Sequence, residues 1–100
     1  MGVAEEAPVT LAGPHLAAID GTTFVLTERP LRIGTQPSCN VVVRASGRIE
    51  ARVWSNKGRV LVHALGEPGQ VLVNGASVTW GVLTDGDDLA VGPDRLTFRA

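Results

Sequence analysis

The stretch IEARVWSNKGRVLVHAL, residues 49–65, predicts two strands joined by a tight turn. In its first half, apolar residues alternate with polar or aromatic ones, which is the period of a strand with one buried face. Asn56-Lys57-Gly58 separates this half from RVLVHAL, residues 59–65, and supplies the residue types that a hairpin turn requires. The whole stretch therefore predicts a β-hairpin.

Two more hairpins are predicted, one on each side of this stretch. HLAAI (15–19) and TFVLT (23–27) flank Asp20-Gly21, and VLV (71–73) precedes Asn74-Gly75; both dipeptides accept the positive φ of a tight structural turn. No segment has the apolar period of an amphipathic helix. Further short strands are predicted at residues 31–34, 41–43, 76–80, 88–91 and 95–99. The fold class is therefore all-β, and about ten or eleven short strands predict an antiparallel two-sheet β-sandwich.

The same alternation predicts a shared core. The apolar triplet Val41-Val42-Val43 is expected to be buried on both faces, or nearly so. Trp54 and Trp80 are expected to pack in the core or between strands, whereas an exposed tryptophan would mark a contact surface. The residues expected to be buried together are Ile33, Val41, Val43, Val53, Leu61 and Leu89.

The composition predicts one domain, residues 13–100, after a flexible N-terminal segment, residues 1–12. Nine basic and ten acidic side chains give a net charge of −1, so no overall field attracts nucleic acid. No apolar run approaches the roughly 20 residues of a membrane helix, and we expect no membrane insertion. Cys39 is the only cysteine and excludes an internal disulfide, so a cytoplasmic location is expected.

From Leu31 onward the chain resembles the forkhead-associated (FHA) domains. The resemblance implies a β-sandwich whose loops at one end bind phosphothreonine peptides. A related pattern occurs in ubiquitin-like carriers of the β-grasp type, but those end in Gly-Gly and this chain ends Phe98-Arg99-Ala100. The matching motifs are Ile33-Gly34, SCNVVV (38–43), the strand pair after Arg48, VNG (73–75), Leu83, Gly86-Asp87 and Val91-Gly92.

The resemblance also indicates which loops would bind a peptide. The family usually has arginine where Thr35 stands, a Ser-Arg-x-His segment at Gly47-Arg48-Ile49-Glu50, and Ser-x-Asn-Gly at residues 67–70. Only Arg48 keeps its type, so phosphothreonine recognition is expected to be lost or altered. The residues assigned to the peptide-binding loops are Thr35, Gln36, Ser38, Arg44, Ser46, Gly47, Arg48, Pro68 and Gly69.

Two interpretations of the second loop remain open. Arg44, Ser46 and Arg48 can form a substitute anion site, which would make the chain a phosphopeptide reader with unusual ligands. Alternatively, Arg48 and Glu50 lie on one strand face and form an exposed ion pair worth roughly 0–1 kcal/mol.

No residue pattern indicates catalysis or a metal. His15 and His63 are far apart and lack neighbouring ligands, and the acidic run at residues 85–88 lacks the pattern of a calcium loop. Nucleotide-binding and hydrolase motifs are missing as well. We therefore expect no cofactor and no catalysis. The expected function is a scaffolding or signalling module that binds a protein, a peptide or a neighbouring domain, and the sequence leaves the oligomeric state open.

Overall fold

A computed structural model describes residues 13–100, and the flexible segment predicted for residues 1–12 lies outside them. The described chain forms eleven strands. No described residue belongs to a helix that could cross a membrane. The strands are β1 (His15–Ala18), β2 (Thr23–Val25), β3 (Leu31–Gly34), β4 (Val41–Val42), β5 (Ile49–Asn56), β6 (Arg59–Gly66), β7 (Val71–Val73), β8 (Ala76–Ser77), β9 (Trp80–Leu83), β10 (Asp88–Val91) and β11 (Asp94–Arg99).

The strands build two sheets. One has six strands in the order β2-β1-β11-β10-β7-β8, and the other has five in the order β4-β3-β5-β6-β9. The predicted sandwich is confirmed. The β-grasp alternative is wrong, because that fold packs a helix on its sheet and residues 13–100 contain none. One detail differs from the fully antiparallel prediction, since β3 and β4 pair in parallel, with Ile33 opposite Val41.

The predicted turns close the hairpins. Lys57 and Gly58 have φ of 52° and 80° between β5 and β6, and Asn74 and Gly75 have φ of 51° and 84° between β7 and β8. Left-handed φ at both central residues matches the twist of paired strands, which explains the choice of residues. Asn74 also joins two turns, because its side-chain nitrogen donates to the Asp87 Oδ1 at 3.0 Å and its oxygen accepts from the Asp88 amide at 2.9 Å.

The core lies between the sheets, and most of the predicted core residues occupy it. Ile33, Val43, Val53 and Leu89 are buried, and Val41 packs partly buried against them. The prediction for Leu61 is wrong: Val60 and Val62 point inward from β6, and Leu61 is half-buried on the opposite face. The apolar residues of RVLVHAL populate both faces, so alternation alone does not select the inner one.

Two other predictions also fail. Val42 is 52% exposed rather than buried on both faces, because β4 is an edge strand whose outer face has no covering layer. The strand predicted over residues 76–80 is divided into β8 and β9, which belong to different sheets. Between them the Val78 amide donates to the Val71 carbonyl and the Thr79 carbonyl accepts from the Ala64 amide, so the chain crosses from one sheet to the other.

Candidate functional site

Three loops lie together at one end of the sandwich, as the sequence predicts. The first loop, residues 35–39, follows β3, and the second, residues 44–48, precedes β5. The third, residues 66–70, begins at the last residue of β6 and leads to β7. β5 is antiparallel to both β3 and β6, so its first residues lie beside the last residues of those strands. The register places Gly34 opposite Glu50 and Gly66 opposite Ile49. The peptide-binding role of these loops remains a prediction.

Thr35 ties the first loop to the second through its own polar atoms. Its hydroxyl donates to the Gly47 carbonyl at 3.2 Å and accepts from the Ile49 amide at 3.3 Å. Its backbone amide donates to the Ile49 carbonyl at 3.0 Å. Thr35 is half-buried, and both its hydroxyl and its amide already form hydrogen bonds within the domain. It therefore does not offer a free donor to a ligand, as an arginine at this position would.

Close backbone approach fixes the spacing of the loops. A Cβ on Gly34 would clash with the Ile49 carbonyl oxygen, and a Cβ on Gly66 would clash with the Arg48 carbonyl oxygen. The Glu67 amide donates to that same Arg48 oxygen at 3.1 Å. Because backbone atoms cannot move aside as a flexible side chain can, these glycines hold the second loop against its neighbours.

The Glu67 carboxylate lies against Gly47. Gly47 has a φ of 90°, and a Cβ built on it would be 2.7 Å from Glu67 Oε2. This is the position where the family pattern has a serine that serves phosphate binding. In this chain the exposed carboxylate of Glu67 in the third loop therefore lies beside Gly47 of the second loop, where its negative charge opposes an anion.

The other residues assigned to the loops are exposed or half-buried. Arg44, Ser46 and Arg48 are exposed, and their side chains make no hydrogen bond or ion pair within residues 13–100. Gln36 is half-buried, and its carbonyl accepts from the amide of the buried Cys39 at 3.0 Å. Ser38, Pro68 and Gly69 are exposed. The structure thus brings all the predicted loop residues to one end, with the basic ones on the second loop.

Glu50 lies next to this end, but it pairs with other residues than predicted. Its Oε2 accepts from the Arg52 Nε at 2.9 Å and from the Arg32 Nε at 3.1 Å, so the predicted pair with Arg48 is wrong. In strand β5, Glu50 and Arg52 share the outer face, and β3 places Arg32 opposite Arg52. The hydrogen bond from Arg32 lowers the pKa of Glu50 most, and Arg52 lowers it further, although partial burial opposes both.

Replacing Glu50 with glutamine is expected to lower the free energy of unfolding by about 1–2 kcal/mol at neutral pH, because two arginines lose their shared partner. A lowered folded-state pKa stabilises the fold above the pKa of the unfolded chain, and this contribution disappears as pH falls through the folded value. Urea denaturation between neutral and acidic pH checks this. The difference between wild type and variant should shrink on acidification.

Glu67→Gln is the matched control, since Glu67 is exposed and forms no ion pair among the described residues. Its free energy of unfolding should stay within about 0.5 kcal/mol of wild type. Equal losses in the two variants, or a Glu50→Gln loss that does not depend on pH, would contradict the role of this ion pair.

An apolar cavity of about 400 Å³ opens beside the loops. Phe24, Val41 and Leu96 form its apolar wall, and Asp94 and Arg95 are among its polar residues. Pro93 lines this cavity, and the amide of the preceding Gly92 donates to the carbonyl of Gln70 at 2.9 Å. Since Gln70 ends the third loop, the cavity lies next to that loop. Sequence reasoning missed this cavity, since its residues come from separate strands and share no motif.

No three histidine, cysteine, aspartate or glutamate side chains converge as metal ligands within residues 13–100. His15 Nδ1 lies 3.2 Å from the Gly13 carbonyl, and His63 stacks on Trp80. Asp87 is held by its own turn, where it accepts from the Thr84 amide at 2.8 Å, and this bond is the main cause of its lowered pKa.

No protein-family model and no curated protein matches this chain, whereas several solved structures do. The FHA domain of the CT664 protein from Chlamydia trachomatis gives a TM-score of 0.76 at 19% identity, covering 89% of this chain and 98% of that one. The FhaA FHA domain, solved in complex with the intracellular domain of Rv3910, gives 0.72 at 24% identity, covering 87% and 100%.

A third similar structure is Mycobacterium tuberculosis EmbR in complex with a low affinity phosphopeptide. It gives a TM-score of 0.73 at 19% identity, covering 88% of this chain and 24% of EmbR. These matches extend over 87–89% of the chain, and they support the two-sheet sandwich described above. This chain therefore has the fold of the forkhead-associated domains.

Proposed function

We propose that this chain is a non-catalytic interaction module that holds a protein or peptide at its loop end without requiring phosphate on threonine. The observation that carries the proposal is the Glu67 carboxylate lying against Gly47, where Oε2 is 2.7 Å from the position of a Cβ. A phosphothreonine brings close to two negative charges and needs converging donors. A carboxylate in that space opposes it.

Thr35 supports the same conclusion. The arginine expected there from the family would offer a guanidinium to phosphate, whereas the threonine hydroxyl is already bonded to Gly47 and Ile49. The loop end therefore lacks one positive charge and has gained a negative one, compared with the pattern that the chain resembles.

The nature of the partner is inferred from the neighbouring cavity and from the similar structures. The FhaA domain was solved with a protein domain and EmbR with a phosphopeptide, so both proteins hold polypeptide partners. The apolar cavity beside the loops fits an apolar side chain of such a partner. We propose an unphosphorylated segment with at least one apolar residue as the ligand of this end.

A second candidate function rests on the second loop. Arg44, Ser46 and Arg48 are exposed and unengaged within residues 13–100, and they could together bind a phosphate that approaches away from Glu67. This would be a phosphopeptide reader with unusual ligands. A calorimetric titration with phosphorylated and unphosphorylated peptides distinguishes this function from the first one.

We expect phosphorylation to improve peptide binding by no more than about threefold. The measurement is a calorimetric titration with a degenerate peptide library that has one fixed phosphothreonine, compared with its threonine twin. Arg48→Ala should leave the small difference unchanged, as should the control Arg59→Ala in strand β6. If the phosphorylated library binds at least about tenfold tighter and only Arg48→Ala removes the gain, the second candidate is correct and the proposal fails.

A further inference from the structure

The outer face of the five-stranded sheet carries two rows of unusual side chains. In the first row, strand register places Arg52 opposite Arg32 on one side and opposite His63 on the other, and His63 is in turn opposite Trp80. In the second row, Leu61 lies between Trp54 and Val82. We use the term outer face for this whole side of the five-stranded sheet, which also includes Glu50 and Arg59. The two rows consist of Arg32, Arg52, His63 and Trp80, and of Trp54, Leu61 and Val82.

One part of the outer face is an exposed apolar platform. Trp80 is 60% exposed and Val82 is 50% exposed, and both lie on β9, the edge strand of this sheet that is paired with β6. The His63 ring stacks on Trp80 with centroids 3.7 Å apart, and Trp54 meets Trp80 edge to face at 6.0 Å. The aromatic rings are therefore fixed by one another, which reduces the entropy that binding would cost.

The charge of this side of the sheet is opposite to that of the remaining chain. Arg32, Arg52 and Arg59 accompany a single acid, Glu50, which gives +2. The remaining chain has six basic and nine acidic side chains, which gives it a net charge of −3, and the net charge of the whole chain is −1. An exposed aromatic platform bordered by positive charge has the composition of a protein interface, in which tryptophan and arginine are enriched.

We propose that the outer face binds an acidic segment of a partner protein through apolar side chains seated on Trp80 and Val82. The positive side of the sheet complements an acidic segment and opposes a second copy of the same face. Single-stranded nucleic acid fits less well, because His63 already stacks on one face of the Trp80 ring, which a base would need for stacking. This surface is separate from the loop end and does not depend on what that end binds.

Tryptophan fluorescence can report binding at the outer face. Its only two tryptophans, Trp54 and Trp80, both belong to the outer face, so their fluorescence reports on it directly. The ligand is a short, capped, tryptophan-free and threonine-free peptide in which glutamate alternates with leucine and phenylalanine. We expect a saturable blue shift of tryptophan emission in the full chain, and we expect salt to weaken the binding.

Two matched comparisons test the chemistry and the location. A peptide with lysine in place of each glutamate should not bind, and Trp80→Ala should weaken binding of the acidic peptide about tenfold or more, with Trp54 as the remaining reporter. Val25→Ala should have no effect, because Val25 is 55% exposed but belongs to the six-stranded sheet. Glu67→Gln should also have no effect, which separates this result from the function proposed for the loops.

The proposal fails if the acidic peptide gives no saturable shift of tryptophan emission, or if the lysine peptide binds equally well. It also fails if Trp80→Ala leaves binding of the acidic peptide intact. A shift that oligothymidylate produces and the acidic peptide does not would contradict it as well. A dimer in analytical ultracentrifugation that Trp80→Ala dissociates would likewise assign the face to a second copy of this chain.

Discussion

Replacing Leu89 with alanine is expected to lower the free energy of unfolding by about 2–5 kcal/mol. Leu89 is fully buried in β10, where it is paired with Leu96 on one side and Val73 on the other. Removing its side chain loses apolar burial and leaves a cavity between the two sheets. A domain of this size is stable by only about 5–15 kcal/mol, so much of its stability would be lost.

Leu61→Ala is the matched control for this prediction. It makes the same change in a residue that is half-buried on the outer face of β6, and it should cost about 1 kcal/mol or less. Urea denaturation followed by circular dichroism measures both, and avoids the tryptophans near Leu61. Equal losses for the two leucines would place Leu61 in the core and contradict the register described here.

The contrast between these leucines shows what the sequence determines about the fold. Strand periodicity and turn residues predicted the hairpins around Asp20-Gly21, Lys57-Gly58 and Asn74-Gly75, because these signals are local. The inner face of β6 depends on pairing: Val62 is opposite Val53 and points inward, whereas Leu61 is opposite Trp54 and points outward. Both faces of this strand carry apolar residues, so the local pattern left the choice open.

The break between β8 and β9 has a similar origin. Residues 76–80, ASVTW, contain no glycine or proline that would signal an interruption. The crossing is made by the Val78 and Thr79 backbone bonding to strands in different sheets, which is a long-range effect. Local propensity therefore predicts one strand where the tertiary structure makes two.

Combining Thr35→Arg with Glu67→Gln is expected to create phosphate-dependent binding. The change supplies a guanidinium at the end of β3 and removes the carboxylate that lies against Gly47. One new charge-assisted hydrogen bond is worth about 1.5–3 kcal/mol, so the phosphothreonine library should bind about tenfold to a hundredfold tighter than it binds wild type. The threonine library should show no such gain.

The single variants are the controls. Thr35→Arg alone should gain less, because Glu67 remains to oppose phosphate and can pair with the new arginine. Adding the family's serine at position 47 would not help, since Gly47 has a φ of 90°, which a serine adopts only with backbone strain. Circular dichroism must show a folded double variant. A folded double variant without phosphate-dependent gain would mean that Thr35 and Glu67 are not what prevents phosphate binding.

The candidate site was only partly predictable for a related reason. Motif alignment placed Thr35, Arg48 and the third loop at one end, because those positions follow strand ends in a recognisable order. It could not show that the Thr35 hydroxyl is bonded to Gly47 and Ile49, that Glu67 turns toward Gly47, or that Glu50 binds Arg32. Those facts depend on side-chain directions across loops and strands far apart in sequence.

The pairing of β1 with β11 also determines how the domain would respond to mechanical load. His15 lies directly opposite Arg99, and the two strands are antiparallel neighbours within the six-stranded sheet. Tension applied between these two residues acts across the strands, along the hydrogen bonds that join them. The bonds would then open one pair after another, as in a zipper, instead of resisting together in shear. Force applied between β1 and β11 would therefore separate them more easily than force that loads the same strands in shear.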